Sequence, residues 1–247
     1  MPFGESIEIQ EHFRNMRPSR FQPAHMVYRI RGTRLYFASG AQNIRGGVMV
    51  IGTSTYTGGG PAEGLLDDIA AEIKKREFEG VVLDNGGNMS PIHTALAARI
   101  VSAFRPLPVY LSEQLASVVP GSVALIQTAL SGGSLERHLF TAIERHGAGH
   151  VAVECDRICM DFKLPAKAGA GKSIDKNRLE QLLSRHKPFY SSDLYVRYFT
   201  YKAENSRHMV LYDDGESMDR KLKLAARLGI SRAFLYYPNT YDIIAAL

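Results

Sequence analysis

The chain has no tryptophan and two cysteines, and it contains no apolar run of the roughly 20 residues that a transmembrane helix needs. The first twenty residues are polar and carry no secretory apolar core. A cytoplasmic location is therefore expected, with no membrane partner. Cys155 and Cys159 lie four residues apart in one strand-like region, too distant on an extended chain to bridge without a sharp bend. No further cysteine exists to complete a Cys-rich zinc site, so both are expected as reduced structural thiols. The eight histidines show no metal spacing: His138 and His146 fall two turns apart on one predicted helix, and His-x-x-x-His is absent. No metal and no other cofactor is expected.

Charge of one sign is also in short supply, with 30 Lys and Arg against 25 Asp and Glu for a net +5. Arg14, Arg17, Arg20, Arg29, Arg31 and Arg34 gather the basic character near the N-terminus. No nucleic-acid motif or interleaved aromatic accompanies them, so they read as a solvated segment and no nucleic-acid partner is expected. What remains is an ordinary globular composition, 45% hydrophobic and 22% charged over 247 residues, enough to bury a sizeable core.

The most informative stretch is Phe78 to Asn88. Val81, Val82 and Leu83 form a continuous apolar run, as in a strand covered on both faces. It ends in Asp84 and a loop of Asn and Gly, where a parallel strand presents polar groups to a ligand. Upstream, residues 1–25 read as an N-terminal arm. Met26–Ile30 and Arg34–Ala38 are joined so tightly that they must pair antiparallel. Gly47–Gly52 is a buried strand. A helix is expected from Pro61, with Leu65, Leu66, Ile69 and Ile73 on one face. Ser90 and Pro91 suit the N-cap and first turn of the next helix. Strands are expected at 108–111, 122–127 and 150–153, the last ending in Glu154. Residues from about 160 to 213 break the rhythm and read as an α+β insertion. Alternation is then expected to resume with His208–Tyr212, a helix from Ser217 and the strand Ala233–Tyr236. Strands alternating with long helices mean a parallel sheet. The expected fold is α/β, a small (β/α)8-like TIM barrel over residues 26–247 with an irregular start.

Two segments carry a resemblance. Phe78–Gly86 resembles the fourth-strand signature of glycoside hydrolase family 18, the chitinase-like barrels, written Phe-Asp-Gly-x-Asp-x-Asp-x-Glu. His208–Tyr236 is similar to that family's late Tyr-Asp-Asp-x-x-Ser-x-x-x-Lys helix and eighth strand. Phe189–Tyr201 resembles the Tyr-rich insertion of its divergent members. The resemblance implies substrate-assisted cleavage of β-linked N-acetylglucosamine, with a Glu as general acid and an Asp holding the reacting acetamide. Carried across, the acid falls on Gly86, one inner Asp on Val82, and the other survives as Asp84. The strand-six Met-x-Tyr-Asp falls near Gln127–Leu130, and the strand-eight Trp near Tyr236. General acid catalysis contributes roughly 10²–10⁴ in rate, so loss at Gly86 implies a catalytically degenerate member. The hairpin near the N-terminus leaves no room for the first two barrel helices. The barrel is then truncated, open on one side, or closed by a partner such as a second copy of the chain.

Three functions stay open on these residues. The first is binding of a glycan or related small molecule by Asp84, with Asn85, Asn88, Gln127 and Tyr236 as further ligand contacts. The second is an active glycosidase in which Glu113 or Glu154 replaces the missing acid. The third is nucleotide binding through Lys172 and Ser173, which end the relaxed phosphate-loop pattern Ala166–Ser173, with Val210–Asp213 as a Walker-B-like strand.

Overall fold

A computed structural model describes residues 21–37, 44–58, 63–167, 169–203 and 205–244. Arg14, Arg17, Arg20, most of the expected arm and the expected helix start at Pro61 lie outside those residues. The chain divides into two compact units. One comprises the described residues up to Leu125 with His150–Ala152; the other comprises Ile126–Gly149 and the described residues from Val153 onward.

In the first unit, β1 (Ala24–Arg31) and β2 (Arg34–Phe37) form the antiparallel hairpin, turning at Gly32 with φ +59°. From β1 onward the strands are parallel: β1 pairs with β3 (Val48–Gly52), β3 with β4 (Gly80–Asp84), β4 with β5 (Val109–Ser112) and β5 with β6 (Val123–Gln127). Helix α1 (Glu63–Arg76) links β3 to β4, and α2 (Pro91–Ala103) links β4 to β5. A four-residue helix, α3 (Glu113–Ala116), follows β5. Val81, Val82 and Leu83 are all buried, as an apolar run without a polar face requires. Leu65 and Ile69 of α1, and Leu96 and Ile100 of α2, are the buried sides of those helices, set by the i, i+4 repeat.

The second unit holds α4 (Leu135–His146), the C-terminal part of β7 (Val151–Cys155), and β13 (Ala233–Leu235), which pairs parallel to β7 and is followed by the short α7 (Tyr237–Thr240). It also holds a five-stranded antiparallel sheet of β8 (Cys159–Leu164), β9 (Lys172–Ser173), β10 (Phe189–Ser191), β11 (Val196–Ala203) and β12 (Ser206–Tyr212), in the order β10-β11-β12-β8-β9. One core of that sheet gathers Leu179 and Leu182 of α5 (Lys176–Leu183) with Phe199, Tyr201, Val210 and Tyr212; another gathers Ile158, Phe162, Val196 and Leu211. Helix α6 (Gly215–Arg227) follows β12.

Within the first unit the larger sheet runs β6-β5-β4-β3-β1-β2. There β3, β4, β5 and β6 are successive parallel neighbours with no reversal of order, as in the winding of (β/α) barrels. The mixed α/β fold with a mainly parallel sheet is as expected from the alternation. One strand departs from expectation. His208–Tyr212 does not resume the parallel alternation, because β12 lies between β11 and β8 and is antiparallel to both. The short β11–β12 connection, with Asn205 at φ +62°, turns the chain straight back, and a hairpin can only be antiparallel. Among the described residues no helix is long and apolar enough to cross a membrane.

Candidate functional site

The end of β4 is built by its loop. Asp84 is exposed, and its Oδ1 accepts the Gly86 N–H at 3.1 Å. Its carbonyl accepts the Thr53 N–H from the end of β3 at 2.8 Å. Asn85 is buried; its amide donates to the Asn88 carbonyl at 2.8 Å, and the Asn88 N–H returns a bond to the Asn85 carbonyl at 3.0 Å. The Asn88 side-chain oxygen accepts the Ser90 N–H at 2.9 Å, ahead of α2. Both Asn side chains thus shape the turn from within, as Asn does by bonding nearby backbone. Gly86 and Gly87 follow Asp84 with φ of +56° and +78°.

His93 ties this loop to β3. Its Nε2 lies 2.9 Å from the Thr53 carbonyl and its Nδ1 2.8 Å from the Ser90 hydroxyl. A carbonyl can only accept, so Nε2 carries the proton and Nδ1 accepts from Ser90. The buried ring meets Tyr56 edge-on at 6.1 Å. The histidines show no metal spacing along the chain, and the cue to this one is its place three residues after the Ser90 N-cap, on the same helical face. Glu113 is half-buried as the first residue of α3, directly after β5.

In the second unit the Gln127 amide donates to a Glu154 carboxylate oxygen at 2.7 Å, and the Thr128 N–H bonds the Glu154 carbonyl at 3.0 Å. These two expected strand-end residues therefore stand together. Beyond β7, Arg157 donates to both Asp242 oxygens at 2.9 and 3.1 Å and to the Asp213 carbonyl at 2.9 Å, while Asn239 donates to Asp156 at 3.2 Å. None of Asp156, Arg157 and Asp242 carries a motif, and sequence reading missed them. Tyr236 caps α7, its carbonyl taking the Asn239 N–H at 3.0 Å. Cys155 and Cys159 are free thiols, and burial pushes Cys155 up to about 11. Among the described residues no group of three or more His, Cys, Asp or Glu could hold a metal ion.

The phosphate-loop geometry is not formed. Lys172 and Ser173 are the whole of the extended strand β9, paired with Asp161 and Met160, and the next helix opens at Lys176 behind the N-cap Asp175. A phosphate cradle needs a loop running straight into a helix N-terminus. Asp213 is fully buried, with Ser217 Oγ on one oxygen at 2.7 Å and Lys221 Nζ and the Ile158 N–H on the other at 2.7 and 3.1 Å. It is thereby occupied as a structural acceptor.

No protein-family model matches the chain, and no curated protein matches it. Solved structures do. The Bacillus cereus spore cortex-lytic enzyme SleL shares 15% identity at a TM-score of 0.64, with 96% of this chain and 70% of that one covered. A chitinase of Chromobacterium violaceum is similar at 16% identity and a TM-score of 0.59, covering 86% of this chain and 85% of that one. The fold is chitinase-like. The SleL of Bacillus megaterium is similar at 16% identity and a TM-score of 0.51, covering 76% of this chain; the present chain spans 55% of its length. The chitinase-like agglutinin RobpsCRA of Robinia pseudoacacia is similar at 13% identity and a TM-score of 0.55, covering 86% of this chain and 87% of that one. Chitinases of known structure share the chitinase-like fold as well.

Proposed function

We propose that the chain is a chitinase-like protein that binds an N-acetylglucosamine-containing glycan at the end of β4 without hydrolysing it. The observation that carries this reading is the turn after Asp84. The resemblance places the family's acid at Gly86, where the backbone is left-handed at φ +56° and is followed by a second left-handed glycine. An L-residue there is strained by roughly 1–2 kcal/mol, which favours glycine at this turn. Asp84 remains exposed at the strand end as the acceptor for sugar hydroxyl or acetamide donors. Similarity to an agglutinin as well as to lytic enzymes is compatible with binding on this fold.

Calorimetry with N-acetylglucosamine tetramer, alongside chromatography of the same mixture, tests the reading. Wild type should bind the tetramer and leave it intact, and Asp84→Ala should weaken binding about tenfold or more, the loss of a charged hydrogen bond. No binding sinks the proposal. Cleavage also sinks it, and abolition of that cleavage by Glu113→Gln or Glu154→Gln would identify the replacement acid.

A further inference from the structure

The five-stranded sheet carries an arrangement that glycan binding does not use. His208 on β12 places Nδ1 3.0 Å from Oδ1 of Asp161 on β8 and Nε2 3.0 Å from the Ser206 hydroxyl. The register makes this line. Ser206 and His208, two apart on one strand, share a face. Asp161 pairs with Val210, two residues farther along that face, and so reaches His208 on the diagonal. A carboxylate only accepts, so the neutral ring carries its proton on Nδ1 and turns the lone pair of Nε2 toward the hydroxyl.

The second oxygen of Asp161 accepts the Tyr201 hydroxyl at 2.5 Å, and Tyr201 stands directly across from His208 on β11. Burial, then the bond to Asp161, pushes the Tyr201 phenol up, which keeps it a donor. The carboxylate is therefore held from both sides. The Ser206 hydroxyl also lies 2.8 Å from the Ala203 carbonyl, so its single proton has two acceptors between which it can swing. Ser206 lines an open surface depression at the β11–β12 turn, beside Ala203 and Asn205.

We propose that Ser206, His208 and Asp161 are the nucleophile, base and orienting carboxylate of a second site, which hydrolyses a small acyl ester. The Ser206 oxygen bonds to the ester carbonyl carbon while its proton passes to His208 Nε2. The carbonyl π pair moves onto oxygen. The oxyanion collapses, the bond to the alkoxide breaks, and the alkoxide leaves with the proton from Nε2. Water then gives a proton to Nε2 and attacks the acyl-serine, and the carboxylic acid departs as Ser206 regains its proton. Asp161 does not touch substrate and acts as a positioning residue through His208.

The inference does not rest on the glycan reading, and Ser206→Ala should leave tetramer binding unchanged. Wild type is treated with a fluorophosphonate, digested and mapped by mass spectrometry, and its turnover of p-nitrophenyl acetate is followed. The adduct should sit on Ser206. His208→Gln should slow labelling by about 10²-fold or more, and Asp161→Asn should lower kcat for the acetate ester with little change in KM. Absence of a Ser206 adduct in wild type overturns the proposal, as does equally fast labelling of His208→Gln. The wild-type mapping needs no variant, so a poorly folded substitution does not blunt the test.

Discussion

Gly86 concentrates the functional question in one backbone torsion. A Cβ built there meets no atom within 4 Å, so space does not oppose a larger residue; the φ of +56° does. Gly86→Glu should therefore lower stability by about 1–2 kcal/mol, read as a urea midpoint shift at unchanged slope, and should not confer hydrolysis of the tetramer. Cys155 makes a second point of the same kind. Its thiol is buried and pushed up to about 11, and the thiolate is the reactive species. At pH 8 the native protein should leave Cys155 unmodified by Ellman's reagent, with full reaction on unfolding. Fast native labelling of Cys155 would contradict the burial described for it.

Helix α6 shows how one short segment can be structural and ionic at once. Asp214 caps it, with Oδ1 accepting the Ser217 N–H at 2.8 Å while Ser217 Oγ accepts the Asp214 N–H at 3.0 Å, a reciprocal capping box. Burial works to raise the Asp214 carboxyl, but the bonds from Ser217 and Arg197 outweigh it and hold the group below the usual aspartate range. A depressed folded value means stability that is present above the unfolded value near pH 4 and is lost as pH falls through the folded one. The stability gap between wild type and Asp214→Asn should accordingly narrow as urea titrations move from pH 6 to pH 3. One turn further, the Asp213–Lys221 pair has both side chains at 0% exposure. Lys221→Met removes one charge and strands the other, and should cost roughly 3–5 kcal/mol. The double change Asp213→Leu with Lys221→Met should cost less than that single one, as a double-mutant cycle would record.

For the molecule as a whole, ligand and stability are linked. If the tetramer binds only the folded chain, saturation at a hundred times Kd adds about 2.7 kcal/mol. The melting temperature should then rise with tetramer concentration in wild type and rise far less in Asp84→Ala. An unchanged melting temperature at saturating tetramer would count against binding.

Much of this was legible in the chain itself. The apolar run Val81–Leu83 specified a buried strand, the Ser90–Pro91 pair a helix start, and the tight Arg31–Arg34 turn an antiparallel hairpin. Each is a local choice, made by sterics, caps and periodicity within a few residues. The contiguous loop Asp84–Asn88 could be read as one place for the same reason. Other features depended on which distant strand lies alongside. His208–Tyr212 has the composition of a parallel barrel strand, and only its pairing with β8 and β11 placed it in the antiparallel sheet. Asp161 and His208 are 47 residues apart, and no spacing rule links them. Pattern along the chain selects the element, whereas register between remote elements is decided by the combined packing of everything that connects them. The tertiary structure alone could bring Ser206, His208 and Asp161 into one line.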